Sequence, residues 1–335
     1  MNIISSDFET TAITAQKYSE TKNNFQLLRK KCKKQKKKEI KMGKIDATSE
    51  AGKHTGEVNA LVYDYDHVYS GGADGVINVW DANLKFLRDI PIHKDFPILV
   101  MCVNSQHQLY TSGRDGSLRY FRSPWKNNNN DIMLQTVMDD VTALLCVDNI
   151  LYSGDDKGIV TKWYHNQVGC QYNVLEEVKS MAIEGTVMYT VRDLDVVATE
   201  ISPGIMSYIT KGTMEGRAPM LLFGPVVDKH KKYVVCITRD GKGISLYNNE
   251  APFKKVWTKE NAHEMIINTI IGTEEALFSA GYDGKVKKWI ITEKEPKLVD
   301  EIDVGKCVNA LCFGPGESVY AGTADGLVRR LQFSK

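Results

Sequence analysis

The chain has 335 residues, with 43 Lys+Arg against 42 Asp+Glu, 42% apolar residues and 25% charged ones, a composition usual for a soluble globular protein and foreign to collagen, wholly disordered chains and disulfide scaffolds. No stretch reaches the roughly 18–20 apolar residues of a membrane helix, and the N-terminal stretch lacks the apolar core of a signal peptide. An intracellular protein with no membrane contact is expected, in cytoplasm, nucleus or both.

The balanced charge conceals an asymmetry. Residues 1–50 hold twelve basic and six acidic residues, so a basic arm precedes a mildly acidic body. The run 29–44, RKKCKKQKKKEIKMGK, concentrates this charge in Arg29, Lys30, Lys31, Lys33, Lys34, Lys36, Lys37 and Lys38. Like charges at this density repel, and residues 1–41 are expected to be a disordered or helical arm without its own core. Three readings follow: a solvated extension, a nuclear-import signal, or sequence-independent contact with RNA phosphates that weakens steeply with salt. No aromatic residues interleave the lysines to stack on bases.

Next in order, residues 42–48 read as a lone β-strand. Beyond it one pattern recurs: VYSGGADGVINVW (68–80), LYTSGRDGSLRYF (109–121), LYSGDDKGIVTKW (151–163), LFSAGYDGKVKKW (277–289) and VYAGTADGLVRRL (319–331). Each is an apolar strand, a tight turn, most often Asp-Gly, and an alternating strand, the chemistry of a β-hairpin. Two weaker copies, 188–200 without the glycine and 233–247 with an insertion, fill the gap. The turns fall at 74, 115, 157, 194, 240, 283 and 325, a period near forty that marks a β-propeller of four-stranded blades.

These hairpins resemble the WD-repeat β-propeller family over about residues 42–335, with Trp80–Asp81 the one copy of the eponymous dipeptide. The resemblance implies a buried hydrogen-bond chain within a blade, from a His through a Ser/Thr to a Trp, with the turn Asp on the other side of the His. His54, Ser70, Asp74 and Trp80 fit it, and His263, Ser279, Asp283 and Trp289 repeat the same intervals; His93, Thr111, Asp115 and Phe121 form a partial set with no indole donor. A His/Asp/Ser catalytic triad is the competing reading, but it needs an exposed nucleophile and gains nothing from recurring in two blades.

The last hairpin ends near Lys335, leaving its blade without a fourth strand. Outer strands follow the other six hairpins at 84–91, 131–137, 168–175, 205–210, 253–258 and 297–302, so strand 42–48 is expected to close the ring as the seventh blade's outer strand. The fold expected is therefore all-β, a seven-bladed propeller over 42–335 closed by an N-terminal strand.

Chemistry is scarce in this sequence. His263–Glu264 lacks the second histidine of H-E-x-x-H, there is no Walker or G-x-S-x-G motif, and Arg329–Arg330 lacks the context of phosphoinositide-binding propellers. Seven cysteines form no C-x-x-C pair, and Cys102, Cys146, Cys236 and Cys312 lie in apolar runs as small hydrophobes. No metal, cofactor or catalytic residue is expected. The longest loops are read at 123–131, where Trp125 is a candidate partner contact or packs beside Pro124, and at 211–219 (KGTMEGRAP). The function implied is a non-catalytic protein-interaction scaffold, a monomeric propeller in a hetero-complex. An RNA-associated or ribosome-biogenesis factor is the first alternative. The second is a ubiquitin-ligase substrate receptor, which the missing arginine of W-D-x-R disfavours.

Overall fold

Each recurrent hairpin of the sequence joins the second and third strands of a four-stranded antiparallel sheet. The computed structural model describes residues 43–334 except 94, 127–131, 137–138, 202–207, 224–231, 274–275 and 293. The arm, with Arg29 to Lys38, lies outside the described residues. Among the described residues there are 28 strands and no helix.

The strands group into seven sheets, or blades. Blade 1 is β2 (Val58–Asp64), β3 (His67–Gly72), β4 (Val76–Asp81) and β5 (Phe86–Pro91), from inner to outer. Blade 2 is β6 (Ile98–Val103), β7 (Leu109–Gly113), β8 (Ser117–Phe121) and β9 (Ile132–Thr136), and blade 3 is β10 (Val141–Val147), β11 (Ile150–Asp155), β12 (Ile159–Tyr164) and β13 (Gln167–Asn173). Blade 4 comprises β14 (Ala182–Glu184), β15 (Val187–Arg192), β16 (Asp195–Ile201) and β17 (Tyr208–Glu215); blade 5 comprises β18 (Arg217–Phe223), β19 (Lys232–Ile237), β20 (Ile244–Asn248) and β21 (Lys255–Lys259). Blade 6 is β22 (Ile267–Gly272), β23 (Leu277–Gly281), β24 (Lys285–Ile290) and β25 (Lys297–Asp303). Blade 7 takes β26 (Val308–Phe313), β27 (Ser318–Thr323) and β28 (Val328–Gln332) from the C-terminal end, and its outer strand is β1 (Lys44–Thr48), antiparallel to β28.

Blades bury one another. Seven apolar clusters occupy the seven junctions, from blades 1 and 2 (Ile77 and Val79 against Ile98 and Leu109) around to blades 7 and 1 (Tyr320 and Val328 against Val58 and Trp80). The last cluster shows that the ring is shut by packing as well as by β1. A single blade has two apolar faces and needs a neighbour on each, which is why closure removes the weak ends of the array.

The turn glycines carry the hairpins. Gly75 and Gly326 have φ of 74° and 81°, and a Cβ on either would collide with the backbone carbonyl of His93 or of His54. Blade 4 departs from this pattern. It has a two-residue turn, with Asp193 and Leu194 both left-handed at φ 53° and 64°. The sequence also predicts a loop at 211–219 and an outer strand at 205–210. The structure instead runs β17 to Glu215 and starts β18 at Arg217, with Gly216 alone between them. Lys, Gly and Glu are weak strand formers, but cross-strand pairing with β16 overrides propensity here, and Gly212 leaves room for the Phe253 ring.

Six inner strands carry a β-bulge near their first residue. The extra residue turns its side chain toward the neighbouring blade: Asn59 donates to the Ile98 carbonyl (2.9 Å), Thr142 to that of Val178 (2.8 Å) and Asn268 to that of Val308 (3.1 Å). Asn309 completes the turn from blade 7 to blade 1 by donating to Glu57 (2.9 Å). Bulges thus stitch blades that share no strand.

Candidate interaction surfaces

The buried polar sets come first, because they separate support from function. In blade 6 the indole of Trp289 donates to Ser279 Oγ (2.8 Å), Ser279 lies 2.7 Å from His263 Nε2, and His263 Nδ1 lies 2.8 Å from Asp283. An indole only donates and a carboxylate only accepts, so the chain has one direction: Trp N–H to Ser, Ser O–H to Nε2, Nδ1–H to Asp. Burial pushes the Asp283 carboxyl up, but the bonds from His263 and the amides of Lys285 and Glu264 overcome it and hold the group below the usual carboxylate range. Ser279 is wholly buried and its hydroxyl already makes two hydrogen bonds, so it cannot meet a substrate as a nucleophile.

Blade 1 differs at one link. His54 bonds Asp74 (3.0 Å) and Ser70 (2.6 Å), but Trp80 donates to the Ala51 carbonyl (3.3 Å) and not to Ser70. The chain leaving β1 crosses this blade and offers the carbonyls of Ala51 and Gly52, the second taken by Asn78 (2.6 Å). In blade 2, His93 bonds Asp115 (2.8 Å) and Thr111 (3.4 Å), Ser117 joins them, and Phe121 is buried without a polar role.

Sequence reasoning missed two related devices. Trp163 donates to Ser153 (2.8 Å) in blade 3, at the same ten-residue spacing that separates Ser279 from Trp289. In blade 7 no histidine among the described residues bonds the turn Asp, and Arg329 takes its place, bonding Asp325 through Nη1 (3.1 Å) and Nη2 (2.7 Å). The Arg329 bonds hold the Asp325 carboxyl far below its ordinary range. Replacing Arg329 by Met leaves that carboxylate without its charge partner, and is expected to cost about 3 kcal/mol in urea unfolding; an unchanged midpoint would mean that the pair is only decorative.

Antiparallel strands place the hairpin turns on two faces. Turns between the first two and the last two strands of each blade form one. On it, Trp125 is half-buried and stacks on Tyr65 (centroids 4.8 Å apart, 21° between planes), with His107 edge-on at 6.0 Å and His67 at 6.2 Å. Pro124 is buried and its carbonyl accepts from Arg88. Trp125 is therefore packed on its neighbours while leaving part of its ring in solvent.

The opposite face, made by the middle turns and the links between blades, carries a groove of about 480 Å³ lined by Val191, Leu194, Ala218, Ile237 and Ile266. Charged residues, Glu176, Glu177, Lys179, Asp193 and Arg217, line it too, and of its apolar lining Leu194 is 52% and Ile266 43% exposed; Leu175 (64%) and Met265 (50%) are the chain neighbours of Glu176 and Ile266. Leu175 and Leu194 are also left-handed, at φ 76° and 64°. That conformation costs a bulky L-residue roughly 1–2 kcal/mol, and an exposed Leu recovers none of it by burial.

Twenty-eight strands in seven mutually buried sheets, shut by an N-terminal strand, define a seven-bladed β-propeller. Residues 49–81 match the family described as WD domain, G-beta repeat. Among solved structures, the WD40 β-propeller domain of Doa1 is 17% identical, with a TM-score of 0.70 over 88% of this chain and 97% of that one. The computationally designed Ika8 protein is 18% identical, with a TM-score of 0.60 over 83% of this chain and 97% of that one. No curated protein sequence matches the chain. The chain is a propeller of the WD-repeat fold.

Proposed function

We propose that the protein is a non-catalytic scaffold that binds other proteins through the apolar groove spanning blades 4 to 6. Propellers of the WD-repeat fold generally serve as interaction platforms, and fold alone does not say where. The observation that carries the location is Leu194, exposed and held left-handed on the groove wall, with Leu175, the chain neighbour of the lining residue Glu176, exposed and left-handed as well. Backbone strain kept at an exposed apolar residue marks a site where something other than the fold selects the residue.

Leu194 occupies the second position of a two-residue turn, where glycine is favoured. Leu194→Gly and Leu175→Asn place residues tolerant of the left-handed region at both positions. Their melting temperatures should equal or slightly exceed that of the parent, while the proteins recovered by crosslinking and affinity purification fall at least tenfold. Undiminished recovery with both variants would rule out the groove. Recovery abolished by nuclease would favour the RNA-associated alternative, which rests on the basic arm.

A further inference from the structure

Cys102 and Cys146 lie 44 residues apart, about one blade period, and their sulfurs are 3.3 Å apart. The repeat explains the meeting. Cys102 pairs with Tyr110 as Val62 pairs with Tyr69, whereas Cys146 pairs with Leu151 as Tyr63 pairs with Val68. The two cysteines thus hold positions one residue apart in equivalent inner strands, and successive residues of a strand point to opposite faces. Cys102 faces forward to blade 3 and Cys146 faces back to blade 2, within the cluster that also holds Tyr110 and Leu151. At other junctions the corresponding positions hold Val62 with Val103, and Leu145 with Ile183. Only the junction of blades 2 and 3 opposes two thiols among the described residues.

We propose that Cys102 and Cys146 form a peroxide-dependent disulfide that staples blade 2 to blade 3. Both residues are partly buried, and the sulfurs must approach by about 1.3 Å to reach bonding distance. A thiolate attacks a peroxide oxygen, the O–O bond breaks, and the other oxygen leaves as alcohol or, with hydrogen peroxide, as water. The resulting sulfenic acid is attacked by the second sulfur. The S–O bond breaks as the S–S bond forms, and hydroxide departs with the second thiol's proton as water. Two thiols are oxidised and one peroxide is reduced. The hydrogen bond with Cys146, and then burial, push the Cys102 thiol well above its ordinary range, so the thiolate is scarce at neutral pH and the oxidation should quicken as pH rises.

The test uses the full chain and hydrogen peroxide. Intact mass should fall by about 2 Da, non-reducing peptide mapping should yield the Cys102–Cys146 linkage, and the melting temperature should rise by about 5 °C and return on reduction. Cys102→Ser and Cys146→Ser should each abolish both changes, and Cys170→Ser should retain them. Sulfinic acid at either residue in place of the linkage, a crosslink to Cys32, or a melting shift that survives in Cys102→Ser would each overturn the proposal.

Discussion

Deleting residues 1–50 lowers the melting temperature by about 10 °C or more, whereas deleting residues 1–38 leaves it nearly unchanged. The difference lies in β1. Lys44 pairs with Gln332, Ile45 with Leu331, Ala47 with Arg330 and Thr48 with Arg329. Past the strand, Ser49 is wholly buried; its amide donates to the Val328 carbonyl (2.9 Å) and its hydroxyl accepts from the Val328 amide (2.8 Å). Before it, the Gly43 amide donates to Asp300 (2.7 Å). At a net of roughly 0.5–1.5 kcal/mol per bond, this set contributes on the order of 5 kcal/mol. A ring of this size loses about 2–4 °C for each kcal/mol. The longer deletion also bares the edge of β28, so it should aggregate on heating. Calorimetry on the two truncations decides the matter: equal melting points would mean that the packing of blade 7 on blade 1 closes the ring unaided.

The location of β1 was readable because the arithmetic of strands left blade 7 one short. Hairpins with Asp-Gly turns were readable for a local reason: φ above zero at the turn needs glycine, and alternation fixes the faces. Blade 4 and the run 211–219 were harder, since Asp193–Leu194 performs a glycine's task and β17 is held by partners rather than propensity. The intervals joining His54 to Ser70 and Asp74 are visible in the chain. The acceptor of Trp80 is not, because the Ala51 carbonyl comes from a segment whose path depends on ring closure. The groove was invisible for the same kind of reason. Glu176, Leu194 and Ile266 lie on three separate loops, and nothing local says that they line one groove. Nor did two isolated apolar cysteines disclose a contact that only the stacking of blades creates.

Ser279→Ala should destabilise the protein by about 2–3 kcal/mol and Ser70→Ala by about 1 kcal/mol, although the two serines hold equivalent places. Ser279 serves two partners, His263 and Trp289, and its loss leaves a buried indole N–H and a buried ring nitrogen unpaired. Ser70 serves His54 alone, because Trp80 keeps its bond to Ala51. Equal losses in the two variants would refute the distinction between the blades. Acid extends the test to the far end of the chain. The Asp283 carboxyl is held below its ordinary value in the fold, so the stability it adds is present above the unfolded-state value near 4 and is lost as pH falls toward the folded value. Asp283→Asn keeps the shape and removes the charge. The gap in unfolding free energy between parent and Asp283→Asn should be constant from about pH 6 to 8 and narrow below about pH 4. A gap that stays constant to pH 2 would show that the carboxylate's charge contributes nothing and that its shape alone supports the blade.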